Sequence, residues 1–253
     1  MAAHQLLYMY LWIAPHVLLA VLAVIMVYRK LVKEFPALFL YAVFEVAQFV
    51  ALLVLYQLRS VSGQQYTLAW LAGSAVSIGL RFAIVQEVFR HVFESYPALK
   101  DLGTLLFRWA TAVLIIVSVA LVAFASGNVM DRLTLACTVP DRAVSTVQCG
   151  LLVLVFLMSR FLGLPWRSYV FGIAVGLGLF ASTDLGILAI RAQWGLDVAS
   201  DFFTLLSMAI YHCCVLFWIV SLLLPEAAET RVTAIPANEL DHWNDALERL
   251  LQQ

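Results

Sequence analysis

Arg81 makes the largest demand on this chain. It stands near the middle of an apolar run from Tyr66 to Phe93, which also carries Glu87, Arg90 and His91 toward its far end. A charge at bilayer depth costs roughly 2.5–3.5 kcal/mol on insertion scales unless it faces the bundle interior and meets a partner. Glu45 lies about nine residues into the preceding apolar run, and Arg81 about eleven residues before the end of its own, so at 1.5 Å per residue the two share a depth. The expected pair is therefore Glu45–Arg81, with Gln48 one turn along from Glu45. On a helix Ser74 and Ser77 share the Arg81 face, whereas Glu87 is turned about 120° away and shares a face with His91. The candidate polar core is Glu45, Gln48, Ser77, Arg81 and Glu87. It serves either to lock two helices together or to hold a ligand or ion with the arginine.

A second set lies nearer the other membrane face. His16 in the first apolar run and His212 in the last stand at matched depth, and first and last helices of seven-helix bundles are often neighbours. That pairing raises a bis-histidine haem or a metal. No HxxxH or HExxH accompanies either histidine, so the expected role is that of core histidines hydrogen-bonded to groups such as Tyr211, Gln148 or Asp184, and no cofactor is predicted. Asp184 is expected to meet Arg142 or Arg191 at the rim, or to line an outward-facing cavity. Gly172, Gly176, Gly178, Ser182 and Gly186 give the sixth run small residues at helical spacing, which lets helix backbones approach closely in lipid.

Several chemistries are excluded. The only lysines are Lys30, Lys33 and Lys100, so no Schiff-base lysine exists in the last run and retinal is rejected. The histidine and acid spacing does not supply a zinc hydrolase, and there is no P-loop or GxSxG sequence. No catalytic residue and no metal ligand is nominated.

The elements that must position these residues are membrane spans. Of 253 residues 64% are hydrophobic and 12% charged, against about 25% charged in soluble domains. About 20 apolar residues cross the hydrocarbon core. Seven runs qualify: Leu6 to Tyr28, Ala37 to Leu58, Tyr66 to Phe93, Leu105 to Ala125, Ala143 to Phe161, Tyr169 to Ile190, and Phe202 to Leu224. The fold class is all-α, a polytopic seven-transmembrane-helix bundle over residues 1–224, followed by a linker and short amphipathic tail helix in 225–253. Pro15 is the only proline expected to break a span away from its ends. The longest connection, Ser126 to Arg142, contains Val129, Leu133, Leu135 and Ala136 and is expected to fold back over the bundle mouth.

Alternate connections differ in charge. Ten lysines and arginines fall on one side (Arg29, Lys30, Lys33, Arg90, Lys100, Arg108, Arg160, Arg167, Arg231, Arg249) and four on the other (Arg59, Arg132, Arg142, Arg191). The excess marks the cytoplasmic side, which places the N-terminus outside and the C-terminus in the cytoplasm. The first run has no basic residue before it and is too long for a signal sequence, so it is expected to be a retained span. Three connections on the basic side share an arginine closing one helix and a proline opening the next: Pro36, Pro97 and Pro165. They allow an internal repeat of helical hairpins or simply the ordinary way of turning at an inner surface.

The net charge of −1 gives no reason to expect nucleic acid. Cys137, Cys149, Cys213 and Cys214 lack metal or redox spacing and read as structural. In the tail, Leu240, Trp243, Leu247 and Leu250 form one stripe and Glu239, Asp241, Asp245 and Glu248 the other. That face disfavours anionic lipid and suits the basic loops of the same chain, or a protein partner.

The strings Glu87-Val88-Phe89-Arg90-His91-Val92-Phe93, Leu106-Phe107-Arg108-Trp109, Val147-Gln148-Cys149-Gly150, Leu164-Pro165-Trp166-Arg167-Ser168 and Trp243-Asn244 with Ala246 to Leu250 resemble those of a group of bacterial multi-pass membrane proteins with no established activity. The resemblance covers nearly the whole chain. It implies a bacterial inner-membrane location and transfers no catalytic role.

The leading functional expectation is a non-enzymatic membrane module. It would sense or bind a small apolar or amphiphilic ligand from the membrane or the outer side and pass its state to a partner through the inner loops and tail. The alternatives are a small-solute, proton or ion transporter using Glu45, Arg81 and Glu87, and a haem- or metal-bearing redox protein.

Overall fold

The computed structural model describes residues 2–58, 61–93, 97–162, 169–194 and 200–224. They form seven long helices: α1 (Ala2–Tyr28), α2 (Pro36–Gln57), α3 (Gly63–Val92), α4 (Pro97–Phe124), α5 (Val129–Leu162), α6 (Tyr169–Trp194) and α7 (Ser200–Leu223), with a 3₁₀ turn at Leu31–Lys33 between the first two. All seven contain stretches long and apolar enough to cross a membrane. The chain is thus an all-α, multi-pass membrane protein. The tail helix expected in 225–253 and the connection containing Pro165 lie outside the described residues.

Local chemistry sets the helix ends. Pro36 occupies the first turn of α2, where its missing N–H is not needed. Ser62 caps α3 in a reciprocal pair, its Oγ accepting from the Gln65 backbone N–H (3.3 Å) while Gln65 Oε1 accepts from the Ser62 N–H (2.9 Å). Asn128 and Asp131 do the same for α5: the Asp131 N–H donates to Asn128 Oδ1 (2.9 Å) and the Asn128 N–H to Asp131 Oδ2 (3.2 Å). Gly127, at φ 116°, supplies the backbone bend just before this cap.

This second cap corrects the sequence expectation for Ser126 to Arg142. Instead of a loop folded over the bundle mouth, the segment from Val129 onward is the first part of α5, a helix of 34 residues, about 51 Å long. The capping pair stabilises a start well before the apolar run, and Pro140 is carried inside the helix. Pro15 is therefore not the only internal break. Pro140 cannot donate to the Ala136 carbonyl one turn back, which weakens the helix at that level.

Helices α1, α2, α3, α5, α6 and α7 form a ring closed by contact between α1 and α7, and α3 also reaches α6 across it. Helix α4 packs outside the ring on α3 and α5, and none of its most apolar stretch is buried.

Each ring helix changes character at one level. Toward the end where α1 finishes and α2 begins, which carries Arg29, Lys30 and Lys33 and is called here the basic end, the interior is close-packed and apolar. Leu19, Leu22 and Met26 of α1 meet Leu38 of α2, Ile84, Val85 and Val88 of α3, Val155 of α5, Ile173 and Leu177 of α6, and Trp218 and Leu222 of α7. Gly176 of α6 lies directly against the Trp218 indole, where a side chain would collide. Beyond this plug, toward the opposite end, the inward positions become His16, Glu45, Arg81, Gln148, Asp184 and His212.

Arg29 ties the end of α1 to the end of α7. The Arg29 guanidinium donates to the carbonyls of Leu222 (2.8 Å) and Leu223 (2.6 Å), satisfying the last turn of α7 with a positive charge at its negative pole. Arg29→Gln should remove these charge-assisted bonds and lower stability by roughly 1.5–3 kcal/mol. Unfolding of the detergent-purified protein measures this, and an unchanged midpoint would refute the clamp.

Candidate solute-binding site

Just past the plug, α2, α3 and α5 enclose a cavity of about 260 Å³, lined by Glu45, Gln48, Trp70, Ser74, Ser77, Ile78, Arg81, Cys137, Thr138 and Asp141. Its centre is an ion pair between Arg81 and Asp141. Arg81 is only 9% exposed, and its guanidinium also lies 6.0 Å from the Phe180 ring centroid, a favourable distance for a cation over an aromatic face. Glu45 accepts a hydrogen bond from the Ser77 hydroxyl.

The expected Glu45–Arg81 pair is therefore replaced by Arg81–Asp141, with Glu45 held beside it through Ser77. The physical reason is the early start of α5. Once residues before the apolar run are helical, Asp141 is carried down to the level of Arg81, and a direct partner removes the cost of a lone buried charge. Gln48 does share the cavity, its amide lying against Gly73 and its Oε1 buried without a partner.

A second cavity of about 140 Å³ lies on the other side of α5, lined by Thr138, Asp141, Arg142, Ser145, Asp184, Leu185, Ile187, Leu188 and Arg191. Thr138 and Asp141 belong to both. Asp141, Ser145 and Gln148 follow one another at four- and three-residue steps, so α5 presents a polar stripe. Ser145 is 1% exposed with its hydroxyl unpartnered, and Gln148 is 0% exposed with both amide atoms unpartnered. Buried polar groups of this kind are normally satisfied by protein or bound water, so the stripe offers hydrogen-bonding capacity to a polar guest.

The remaining sequence candidates take other places. Tyr211 and Tyr41 meet hydroxyl to hydroxyl at 3.1 Å beside the apolar plug. Glu87 does not join the Arg81 group. Its carboxylate accepts from the backbone N–H groups of Ala37 (3.0 Å) and Leu38 (3.4 Å), capping α2 from α3 at the basic end. A carboxylate is stabilised there by the helix N-terminal dipole, and Pro36 leaves those two N–H groups as the first available donors.

His16 donates from Nδ1 to the Trp12 carbonyl (2.9 Å), and its ring stacks on Phe49 at 4.1 Å. His212 Nε2 lies 3.4 Å from the Tyr10 hydroxyl. The two rings thus have different neighbours, and neither bonds to Tyr211, Gln148 or Asp184. Among the described residues, no group of three or more His, Cys, Asp or Glu is placed to hold a metal. Asp184 faces Arg142 and Arg191 across the second cavity.

Asp141 is the principal residue that sequence reasoning missed. Its sequence signal was the Asn128–Asp131 cap, which marks a helix start ahead of the apolar run.

Replacing either member of the central pair alone, Arg81→Met or Asp141→Leu, should cost about 3–5 kcal/mol because a charge is left buried and unpaired. The double replacement should recover most of that loss. A double-mutant cycle in detergent measures it, and additive losses would show that the pair is not coupled.

Comparison with protein-family models, curated proteins and solved structures finds no match to this chain, so the resemblance to a bacterial group gains no family from them, and what stands is a seven-helix protein with seven candidate membrane spans.

Proposed function

We propose that this protein is a non-enzymatic membrane module that binds a small polar solute within the bilayer and signals its occupancy to a partner through the basic loops and the tail. One observation carries the reading: every ring helix passes from polar to close-packed apolar at the same level. The cavities around Arg81 and Asp184 therefore lie beyond an apolar plug in the ring interior, and the charged cavity of about 510 Å³ at the basic end, lined by Lys33, Glu34, Glu87, Arg90 and His91, is separated from them by that plug. A sealed half supports binding and sensing over free passage. The lysine and arginine excess supports a cytoplasmic basic end, so that solute would arrive from outside. The resemblance and the one-sided charge support a bacterial inner membrane.

The charged lining turns the expected ligand from apolar or amphiphilic to polar. An apolar groove of about 610 Å³ between α1 and α7, with Leu6, Met9, Ile13, Val17 and Leu216 in its walls, faces the hydrocarbon and suits a lipid chain.

A specific observation favours transport as the second reading. Pro140 removes one backbone hydrogen bond from α5 beside Asp141, and helices weakened beside intramembrane carboxylates suit a carrier. A solute-driven pH change in proteoliposomes that is lost in Glu45→Gln would establish it.

The first reading is tested by thermal unfolding of the detergent-purified full chain against a panel of small anions, cations, zwitterions and polyols. At least one solute should raise the midpoint. Ser145→Leu, which fills the second cavity and removes an unpaired buried hydroxyl, should abolish that shift without lowering the solute-free midpoint. No shift from any solute would overturn the reading.

A further inference from the structure

We infer that the cavity around Glu45 binds a small primary ammonium ion, the cation of a short-chain amine. The site is separate from the cavity that Ser145 lines and stands whether or not a solute occupies that one.

The hydroxyl protons of Ser77 and Thr138 are already committed. Ser77 donates to the Glu45 carboxylate, and Thr138 donates to the Thr134 carbonyl one turn back (3.0 Å). Their oxygens therefore turn lone pairs, not protons, to a guest. The Cys137 thiol is likewise aimed at the Leu71 carbonyl (3.7 Å). Gln48 Oε1 is an acceptor buried without a partner, and an ionised Glu45 can only accept. Arg81, a donor in the same wall, is matched by Asp141. Such a lining calls for a guest that brings donors.

Charge points the same way. Glu45 and Asp141 line the cavity with Arg81, so its walls carry one more negative charge than positive. A carboxylate left unanswered in a low-dielectric site is costly, and a single positive charge on the guest answers it. A divalent metal would overshoot that charge, and among the described residues no group of three or more His, Cys, Asp or Glu is placed to hold one.

Size and shape decide between an alkali ion and an amine. A volume of about 260 Å³ is more than a bare alkali ion fills, yet it falls below the roughly 300 Å³ at which pockets for drug-sized ligands begin. Trp70 and Ile78 add apolar wall beside the acceptors. An ammonium group has three donors and no acceptor, which suits Glu45, Gln48 and Ser77, while a short alkyl group takes the apolar side.

Thermal unfolding of the full chain in detergent, at constant ionic strength, compares ethylammonium and propylammonium with tetramethylammonium, Na⁺ and K⁺. Ethylammonium should reach half-effect at a concentration about tenfold or more below the alkali ions and below tetramethylammonium, which carries the charge without N–H donors. Glu45→Gln keeps an acceptor for Ser77, and Gln48→Leu removes a buried acceptor that has no partner. Each should weaken ethylammonium about tenfold or more, whereas Ser145→Leu should leave its effect unchanged. Tetramethylammonium or an alkali ion acting at ethylammonium's concentration would overturn the inference, as would either cavity variant responding like the parent. An amine shift lost in Ser145→Leu would also overturn it, by placing the amine in the second cavity, and would leave solute binding standing. Silence toward amines beside another solute whose shift Ser145→Leu abolishes would overturn this inference alone, and silence toward every compound would remove both.

Discussion

A guanidinium group at membrane depth has to be answered from within the protein, and most of this architecture follows from how Arg81 is answered. Its partner comes from α5, two helices on in the chain, so α3 and α5 pack directly and the helix between them in sequence is displaced from the ring. Helix α4 tolerates this position because the hydroxyls of Thr111 and Ser118 bond back to its own carbonyls, so the face turned away from α3 and α5 can meet lipid. Drawing α5 to α3 also brings Ser145 and Gln148 inward, where they extend the polar region along α5.

The opposite half is built on the reverse principle. Its interior contains large apolar side chains with almost no exposure, and its boundary polar groups are consumed in closing helix ends. Arg29 closes α7 and Glu87 closes α2, each with the charge that the helix dipole favours. Lys30, in the left-handed region at φ 61°, ends α1 at a local cost of about 1–2 kcal/mol and turns the chain toward α2. Arg29 and Glu87 are thus structural at this end, whereas the charges of the other half line cavities between helices. The same residue types serve different ends because one group is matched to backbone dipoles and the other to side chains across a cavity.

Much of this was legible along the chain. Seven apolar runs of spanning length, the excess of lysine and arginine on alternate connections, and the cost of Arg81 at depth are one-dimensional facts that hydropathy and spacing report directly. The Asn128–Asp131 pair was also legible, as a reciprocal cap, but the partly apolar segment from Ser126 to Arg142 reads as a connection folded back over the bundle mouth. Reading that segment as a loop removed Asp141 from the membrane and left Glu45 as the nearest opposite charge.

What the sequence by itself determined is the number of spans, their charge asymmetry and the need for a partner at Arg81. These depend only on composition and on distance along the helix axis. Which helices touch, that α4 stands outside the ring, that Asp141 rather than Glu45 meets Arg81, and that Glu87 caps α2 were decided by the tertiary structure. Each depends on the rotation of one helix about its axis relative to another, and spacing within a single helix carries no information about that.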